Sequence, residues 1–259
     1  MKLYFCRVEK LTALIPTGNE AHNIEAVLKS VAFADEVLVV DSFSTDDTLK
    51  LAEPLADRII QREYEHSASQ KNWAIPQAKH EWILLVDADE RVSEELAKEI
   101  QEILKNPGQE VAYWIYRDNH FMGKRLKYSG WQNDKVIRLF RKSKCRYENK
   151  HVHAEVIADG KVGFLKNHLD HNTYLSLDHY LNKINRYANL QAKDYDKKTG
   201  KITAYHLVFK PFSRFLKHYI LQLGFLDGVP GFTVSTMQAF AVRTRYIKLW
   251  ILRMERNKA

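Results

Sequence analysis

An apolar run of strand length, Trp82–Ile83–Leu84–Leu85–Val86, leads directly into Asp87–Ala88–Asp89. Two carboxylates one residue apart at the end of a buried strand are unfavourable unless a cation meets them. At the carboxyl end of a parallel strand they lie in the crevice where open α/β sheets bind ligands. Oxygen ligands in that place suit a hard divalent ion, with diphosphate oxygens filling the rest of its shell. The plain alternative is a strand followed by an acidic helix start, because Glu90 and Ser93-Glu94-Glu95 come next. The sequence upstream decides between the two.

The first hundred residues alternate strand and helix signals. Leu11–Pro16, Glu36–Asp41, Arg58–Glu63 and Glu81–Asp87 read as strands, and the second and fourth are nearly all apolar, as doubly covered parallel strands should be. Between them Glu20–Val31 places Ile24, Val27, Leu28 and Val31 on one helical face. A second helix is predicted from about Asp46 with Ser44 or Thr45 as its cap, and a third over Ser67–Ala78, ended or kinked by Pro76. A fourth runs from a Ser93 cap to Asn106 and stops at Pro107-Gly108. Alternating βα units predict a mostly parallel sheet with helices on both faces, a Rossmann-like α/β fold.

After Pro107 the pattern changes. Val111–Arg117, Lys135–Arg141 and Val152–Ala158 read as strands, and Asp159-Gly160 between Val156-Ile157 and Val162-Gly163 reads as a hairpin turn. From Ser176 to about Lys197 the period is helical, and Thr199-Gly200 breaks it. The expected division is a domain over 9–195, with a nucleotide-binding half at 9–107 and an acceptor half at 108–195, followed by a helical extension at 196–259.

Charge separates these regions. The chain carries a net +8, of which residues 203–259 supply +7 through nine Lys/Arg against Asp227 and Glu255. That tail interleaves its basic residues with Phe209, Phe212, Phe215, Tyr219, Phe225, Phe232, Phe240, Tyr246 and Trp250. A basic amphipathic helix of this kind suits an anionic membrane surface; the alternative is that its aromatics pack inward and its charges face water. Cys6 and Cys145 give no disulfide framework or metal spacing, the first residues are too charged for a signal segment, and no run reaches the roughly 18 apolar residues of a membrane span. A cytoplasmic protein, held loosely at the inner membrane, is the expectation.

Three strands end in polar residues that a parallel sheet would gather on one edge. They are Pro16-Thr17-Gly18-Asn19-Glu20, Asp41-Ser42-Phe43-Ser44-Thr45-Asp46-Asp47-Thr48 and Asp87-Ala88-Asp89. Asp41 can accept hydrogen bonds from a base or ribose, and the helix start beyond it supplies free N–H groups.

This order, an apolar strand into P-x-x-N-E, a strand into VVDSFSTDDT, then SASQKNWA, then LLVDADE, resembles the family 2 glycosyltransferases, inverting enzymes of nucleotide-sugar-binding fold A. Within that family it is most similar to lipopolysaccharide-core glucosyltransferases, and the resemblance covers about residues 10–195. It implies a metal-dependent hexosyltransferase that moves a sugar, glucose first, from a UDP-sugar to a saccharide or glycolipid acceptor such as the lipopolysaccharide inner core. The resemblance gives Pro16, Thr17, Asn19, Glu20 and Asp41 to the uridine, and Asp87 and Asp89 to ribose and a Mg2+ or Mn2+ ion bridging the diphosphate. Lys71, in Gln70-Lys71-Asn72, falls where relatives place a basic residue near base and phosphates; a solvated helix lysine is the alternative. Trp131 and Val136-Ile137-Arg138-Leu139-Phe140 match the stretch where the acceptor side begins, so Trp131, Arg138 and His153 are candidate acceptor contacts.

An inverting transfer needs a carboxylate to take the acceptor's proton. Relatives show V-H-E after this stretch, whereas here the chain reads His151-Val152-His153-Ala154-Glu155, one residue displaced. On a strand that shift reverses the side chain, so either a bulge returns Glu155 to the site or another group such as Asp134 serves. His151, His153, His168, His171 and His179 raise a zinc reading, but no helical pair spacing and no completing acid support it.

Other classes fit less well. A sugar nucleotidyltransferase would open with a Gly-rich, Arg-containing loop, which Pro16–Glu20 is not. A P-loop ATPase requires G-x-x-x-x-G-K-[ST], which is absent. A non-catalytic membrane- or anion-binding module leaves the acidic strand ends without purpose, and nucleic acid would be repelled by them.

Overall fold

The computed structural model describes residues 8–150, 154–174 and 176–257. Four strands explain the nearly unbroken apolar runs of the first hundred residues. They are β1 (Leu11–Thr17), β2 (Glu36–Asp41), β3 (Arg58–Gln61) and β4 (Trp82–Leu85). Successive side chains go to opposite faces. Leu11, Ala13, Ile15, Val37, Val39, Trp82 and Leu84 enter one buried cluster, and Leu14, Leu38, Val40, Ile83 and Leu85 enter another. Helices cover both. α1 (Ile24–Ser30) and α2 (Thr48–Ala52) add Ile24, Val27, Leu28 and Ala52 to the first cluster. α3 (Ser67–Ala74) adds Ala68 and Ala74 to the second. α4 (Glu94–Lys105) brings Leu96, Ile100 and Leu104 back to the first.

β1 pairs in parallel with β2 and β4, and β2 with β3, so all four strands end on the same edge. Eight further strands follow: β5 (Glu90–Val92), β6 (Glu110–Phe121), β7 (Lys124–Arg125), β8 (Lys135–Arg141), β9 (Cys145–Tyr147), β10 (Val156–Ala158), β11 (Lys161–Phe164) and β12 (Leu169–Tyr174). The main sheet has the order β3-β2-β1-β4-β8-β6-β12-β5. β8 joins it antiparallel to both β4 and β6, and β12 is antiparallel to β5. The α/β class expected from the sequence is the one observed, with antiparallel strands added beside β4.

Two local expectations are corrected. Residues 156–163 do not form a hairpin: β10 pairs antiparallel with β9, while β11 pairs in parallel with β6. The chain turns at Gly160 (φ +149°), but each flanking strand finds a different partner. Neither Ser44 nor Thr45 caps the second helix, because both are bonded to Asn19; Asp46 accepts from the Thr48 N–H (3.0 Å) instead. Pro76 ends α3 by converting it to a 3-10 turn, Ile75–Gln77, as its missing N–H requires. The Ser93 cap is observed, accepting from the Leu96 N–H at 3.2 Å.

The chain divides into two compact units. One takes in the sequence up to Arg117 together with Lys135–His171; the other takes in Asp118–Asp134 and the chain from Asn172 onward. The expected boundary at 195/196 falls inside the second unit. That unit is built on α5 (Leu177–Asp196), α6 (Lys210–Leu216) and α7 (Gly228–Arg256). Phe121, Leu126, Tyr180, Ile184 and Val234 form one core cluster there, and Ala192, Val242, Tyr246 and Leu249 another. The Gly/Pro-rich stretch from Gly224 opens with a 3-10 turn, Gly224–Asp227, running into α7. A Cβ at Gly231 would lie 1.9 Å from the Gly224 carbonyl oxygen, so this backbone crossing requires glycine. Asp227 ties the turn to the same unit, accepting from the Lys127 and Tyr128 N–H groups and the Ser129 hydroxyl, each at 3.0 Å.

Candidate active site

The strand order reverses at β1, with β2 on one side and β4 on the other. In α/β sheets the crevice outside such a reversal is where ligands bind. Thr17 lies opposite Asp41 in the β1–β2 register, and the Val86 N–H donates to the Leu14 carbonyl at 3.0 Å, carrying β4 towards Asp87 on the same edge.

The first two loops on that edge are laced together. The Asn19 N–H donates to Ser44 Oγ (2.8 Å), the Thr45 N–H to Asn19 Oδ1 (2.8 Å), and the Glu20 N–H to Thr48 Oγ1 (2.8 Å). Asn19 adopts φ 56°, a conformation that asparagine tolerates better than most residues. Asp41 is wholly buried and accepts from the Ser44 N–H (3.0 Å) and Gln61 Nε2 (2.9 Å). Its carboxylate thus shapes the loop. By contrast, the buried Thr17 hydroxyl, at the end of β1 after Pro16, has no hydrogen-bond partner among the described residues.

The centre of the site is a cluster of opposite charges. Lys71 Nζ lies 2.8 Å from Asp87 Oδ1, and the Arg138 guanidinium pairs with Asp87 Oδ2. Arg138 also reaches Glu90 at 2.6 Å, and Arg117 reaches the same carboxylate at 3.3 Å. Glu90 accepts in turn from the Asp87 N–H at 3.0 Å. Burial alone would raise the Asp87 carboxyl, but Arg138 and Lys71 beside it hold it far below the usual carboxylate range. Burial works against the Lys71 and Arg138 charges too, but Asp87 and Tyr147 together, joined at Arg138 by Glu90, keep both raised. The solvated-lysine alternative is therefore overturned: Lys71 is 7% exposed and faces inward. Arg138, a candidate acceptor contact, is 4% exposed with its guanidinium engaged by Asp87 and Glu90. That contact fixes the Asp87 carboxylate.

Asp89 sits on a turn pinned by Arg91, which donates to the carbonyls of Ala88 (2.6 Å) and Glu90 (2.7 Å) and to Asn23 Oδ1 (2.9 Å). The antiparallel register of β5 and β12 sets His171 opposite Glu90. His171 Nε2 thereby lies 3.3 Å from Asp89 Oδ2. A carboxylate oxygen and an imidazole nitrogen that converge in this way fit a Mn2+-type ion. Among the described residues no group of three or more such ligands gathers, so a cation here would take its remaining ligands from substrate and water. The zinc reading gains no support from those residues. His171 is absent from the sequence-derived site residues because the sequence presents it only as one histidine of the zinc reading.

The remaining candidates are placed as follows. Glu155 is exposed, precedes β10 without belonging to a strand, and its carboxylate has no partner among the described residues. Its backbone closes onto Glu148 through paired bonds of 2.9 Å and 3.2 Å. His151 and His153 lie outside the described residues. In the second unit, Asp134 accepts from Asn119 Nδ2 (2.8 Å), whose Oδ1 accepts from Thr173 Oγ1 at 3.1 Å. Trp131 packs, partly exposed, against the Phe121–Tyr180–Ile184 cluster.

Comparisons agree with this architecture. The sequence model "Glycosyl transferase family 2" matches residues 12–169. An uncharacterized glycosyltransferase of Rickettsia typhi is 32% identical over 254 residues, covering 93% of this chain and 87% of the relative. The lipopolysaccharide core biosynthesis glycosyltransferase LpsC of Rhizobium meliloti is 26% identical over 250 residues, 91% of this chain and 93% of LpsC. Among solved structures, a mannosyltransferase from Pyrobaculum calidifontis, in complex with GDP-Man and Mn2+, shares the fold with a TM-score of 0.54 at 18% identity, over 93% of this chain and 87% of that one. The chain is a glycosyltransferase and belongs to glycosyl transferase family 2.

Proposed function

We propose that this glycosyltransferase moves a hexose, glucose first, from a UDP-sugar to a saccharide acceptor of the lipopolysaccharide inner core, with inversion and with a divalent cation. The observation that carries the reading is the convergence of Asp89 and His171 beside the Asp87–Lys71–Arg138 cluster, on the sheet edge where β1 and β4 end. Uridine and glucose rest on the resemblance of Pro16, Thr17, Asn19, Glu20 and Asp41 to the family motifs. The lipopolysaccharide acceptor is supported by the similarity to LpsC over nearly the whole chain.

Asp89 and His171 would hold a cation, Mn2+ or Mg2+, and such an ion would supply positive charge against the negative charge developing on the diphosphate leaving group. Lys71 and Arg138 fix the Asp87 carboxylate so that one rotamer meets the ribose. The Thr17 hydroxyl, unpartnered among the described residues, offers a hydrogen bond to the nucleoside. Glu155 accepts the proton of the acceptor hydroxyl while its oxygen attacks the anomeric carbon and the UDP oxygen leaves. If Glu155 does not serve, Asp134, oriented by Asn119, takes that role.

No helix among the described residues is long and apolar enough to cross a membrane. The second unit nevertheless exposes Phe209, Phe212, Leu221, Phe225, Leu226 and Val229, with Leu221 and Val229 more than three-quarters exposed. These apolar residues beside basic ones support attachment to an anionic membrane surface, where a glycolipid acceptor would be met. A calorimetric screen of UDP, GDP and CMP with Mn2+ tests the donor. Binding of UDP alone is expected; binding of GDP or CMP without UDP would overturn the choice.

A further inference from the structure

Within the second unit a cleft of about 350 Å³ is lined by Tyr195 of α5, by Lys210, Ser213, Arg214 and Lys217, and by Val242, Arg245 and Tyr246 of α7. The spacing of Lys210, Ser213, Arg214 and Lys217 puts them on one helical face. Arg245 adds a fourth cation from the opposite wall. Among the described residues none of these four cations is ion-paired with a carboxylate. Asp196 pairs with Arg253 and Arg256, and Asp227 caps the turn at Lys127–Ser129.

Two of the cations are held in place by uncharged groups. Lys210 Nζ donates to the Tyr246 hydroxyl at 2.8 Å and sits 4.9 Å from that ring. Arg245 Nε donates to Gln191 Oε1 at 2.7 Å and its guanidinium lies 4.6 Å over the Tyr195 ring. Four like charges around one cleft repel each other. Lys210 and Arg245 are preorganised nevertheless by these contacts, as a site for a multiply charged oxyanion requires. π-helical turns, which are frequent at functional sites, flank α6 at Tyr205–Phe209 and Lys217–Leu221.

We propose that this cleft binds a phosphate-bearing group, at a site separate from the nucleotide-sugar edge of the first unit. On the same helical segment Phe209, Phe212 and Leu216 are exposed on a different face from the cationic stripe. A phosphate held by Arg214 and Lys217 therefore has apolar surface close at hand. Two sources share this chemistry: the phosphate of a membrane lipid headgroup, and the phosphate of a soluble phosphorylated saccharide. The inference does not depend on which sugar nucleotide is the donor.

The test uses the full chain, inorganic pyrophosphate by calorimetry in metal-free buffer, and co-sedimentation with vesicles of phosphatidylglycerol or of phosphatidylcholine alone. Arg214→Ala/Lys217→Ala is compared with Lys198→Ala/Lys201→Ala, which removes the same charge outside the cleft. The expected result is a loss of about tenfold or more for the cleft variant and about twofold or less for the other. Loss confined to pyrophosphate assigns the site to a soluble phosphate, and loss on phosphatidylglycerol vesicles assigns it to a lipid headgroup. Circular dichroism and Arg214→Lys/Lys217→Arg, which keeps both charges and should keep binding, exclude a folding defect. Equal weakening in the two Ala variants, unchanged binding in the cleft variant, or no binding of either probe by the wild type would overturn the proposal.

Discussion

Lys71 Nζ and Asp87 Oδ1 stand 2.8 Å apart, joining α3 to the loop that follows β4. The lysine is almost fully buried and the aspartate is about one-third exposed at its side chain, 32%. Lys71→Met should destabilise the protein by about 2–3 kcal/mol, below the range for a fully buried pair because solvent still reaches Asp87. Urea unfolding measures this. Combining it with Asp87→Asn should recover part of the loss; strictly additive losses would show that the pair is not coupled.

The pH dependence of that difference follows from the two shifted groups. The Asp87 carboxyl is depressed, so its contribution is complete above the ordinary aspartate value and is lost as pH falls from there through the depressed one. The Lys71 ammonium is raised, so its contribution is complete below the ordinary lysine value and is lost as pH rises through the raised one. The stability gap between wild type and Lys71→Met should be flat from about pH 5 to about pH 9 and shrink below about pH 4. Urea unfolding at each pH reads it. A gap unchanged down to about pH 3 would mean that Asp87 titrates alike in wild type and in Lys71→Met, with Arg138 alone holding it down.

Much of the nucleotide edge was legible because its signals are local. Strand runs that end in Thr17, Asp41 and Asp87 need only period and composition to be placed on one edge. Other parts depend on long-range pairing. His171 reaches Asp89 only through the β5–β12 register, which joins distant segments of the chain. Glu90 reads as an acid at a helix start, yet it lies in β5 with no exposure, balanced by Arg138 and Arg117. Lys71 looked equally suited to solvent because α3 carries Ser67, Ser69, Gln70, Lys71 and Asn72 around its circumference, leaving no clear apolar stripe. The hairpin at Asp159-Gly160 failed for the converse reason: turn chemistry is local, but the partners of β10 and β11 are not.

Histidine 171 should matter for metal and not for folding of the sheet. His171→Ala is expected to weaken Mn2+-dependent UDP binding by roughly tenfold or more, in line with loss of a ligand, with little change in metal-free UDP binding. Titration calorimetry with and without chelator separates the two. Equal weakening under both conditions would make His171 a structural residue.

For the proton, Glu155→Gln should depress turnover by about two orders of magnitude or more while UDP affinity stays close to wild type. Steady-state kinetics alongside calorimetry reads both. If Glu155→Gln keeps near-normal turnover and Asp134→Asn is inactive, Asp134 is the base.

The most direct test of the whole account is turnover of UDP-glucose by wild type and Asp89→Asn, each with Mn2+ and with chelator. Wild type with Mn2+ should release UDP, and the other three conditions should fall by about two orders of magnitude or more. Asp89→Asn should still unfold like wild type, since its partly exposed carboxylate contributes little to the core. Full UDP release by Asp89→Asn, or by wild type in chelator, would contradict a metal-dependent transferase built on this sheet edge.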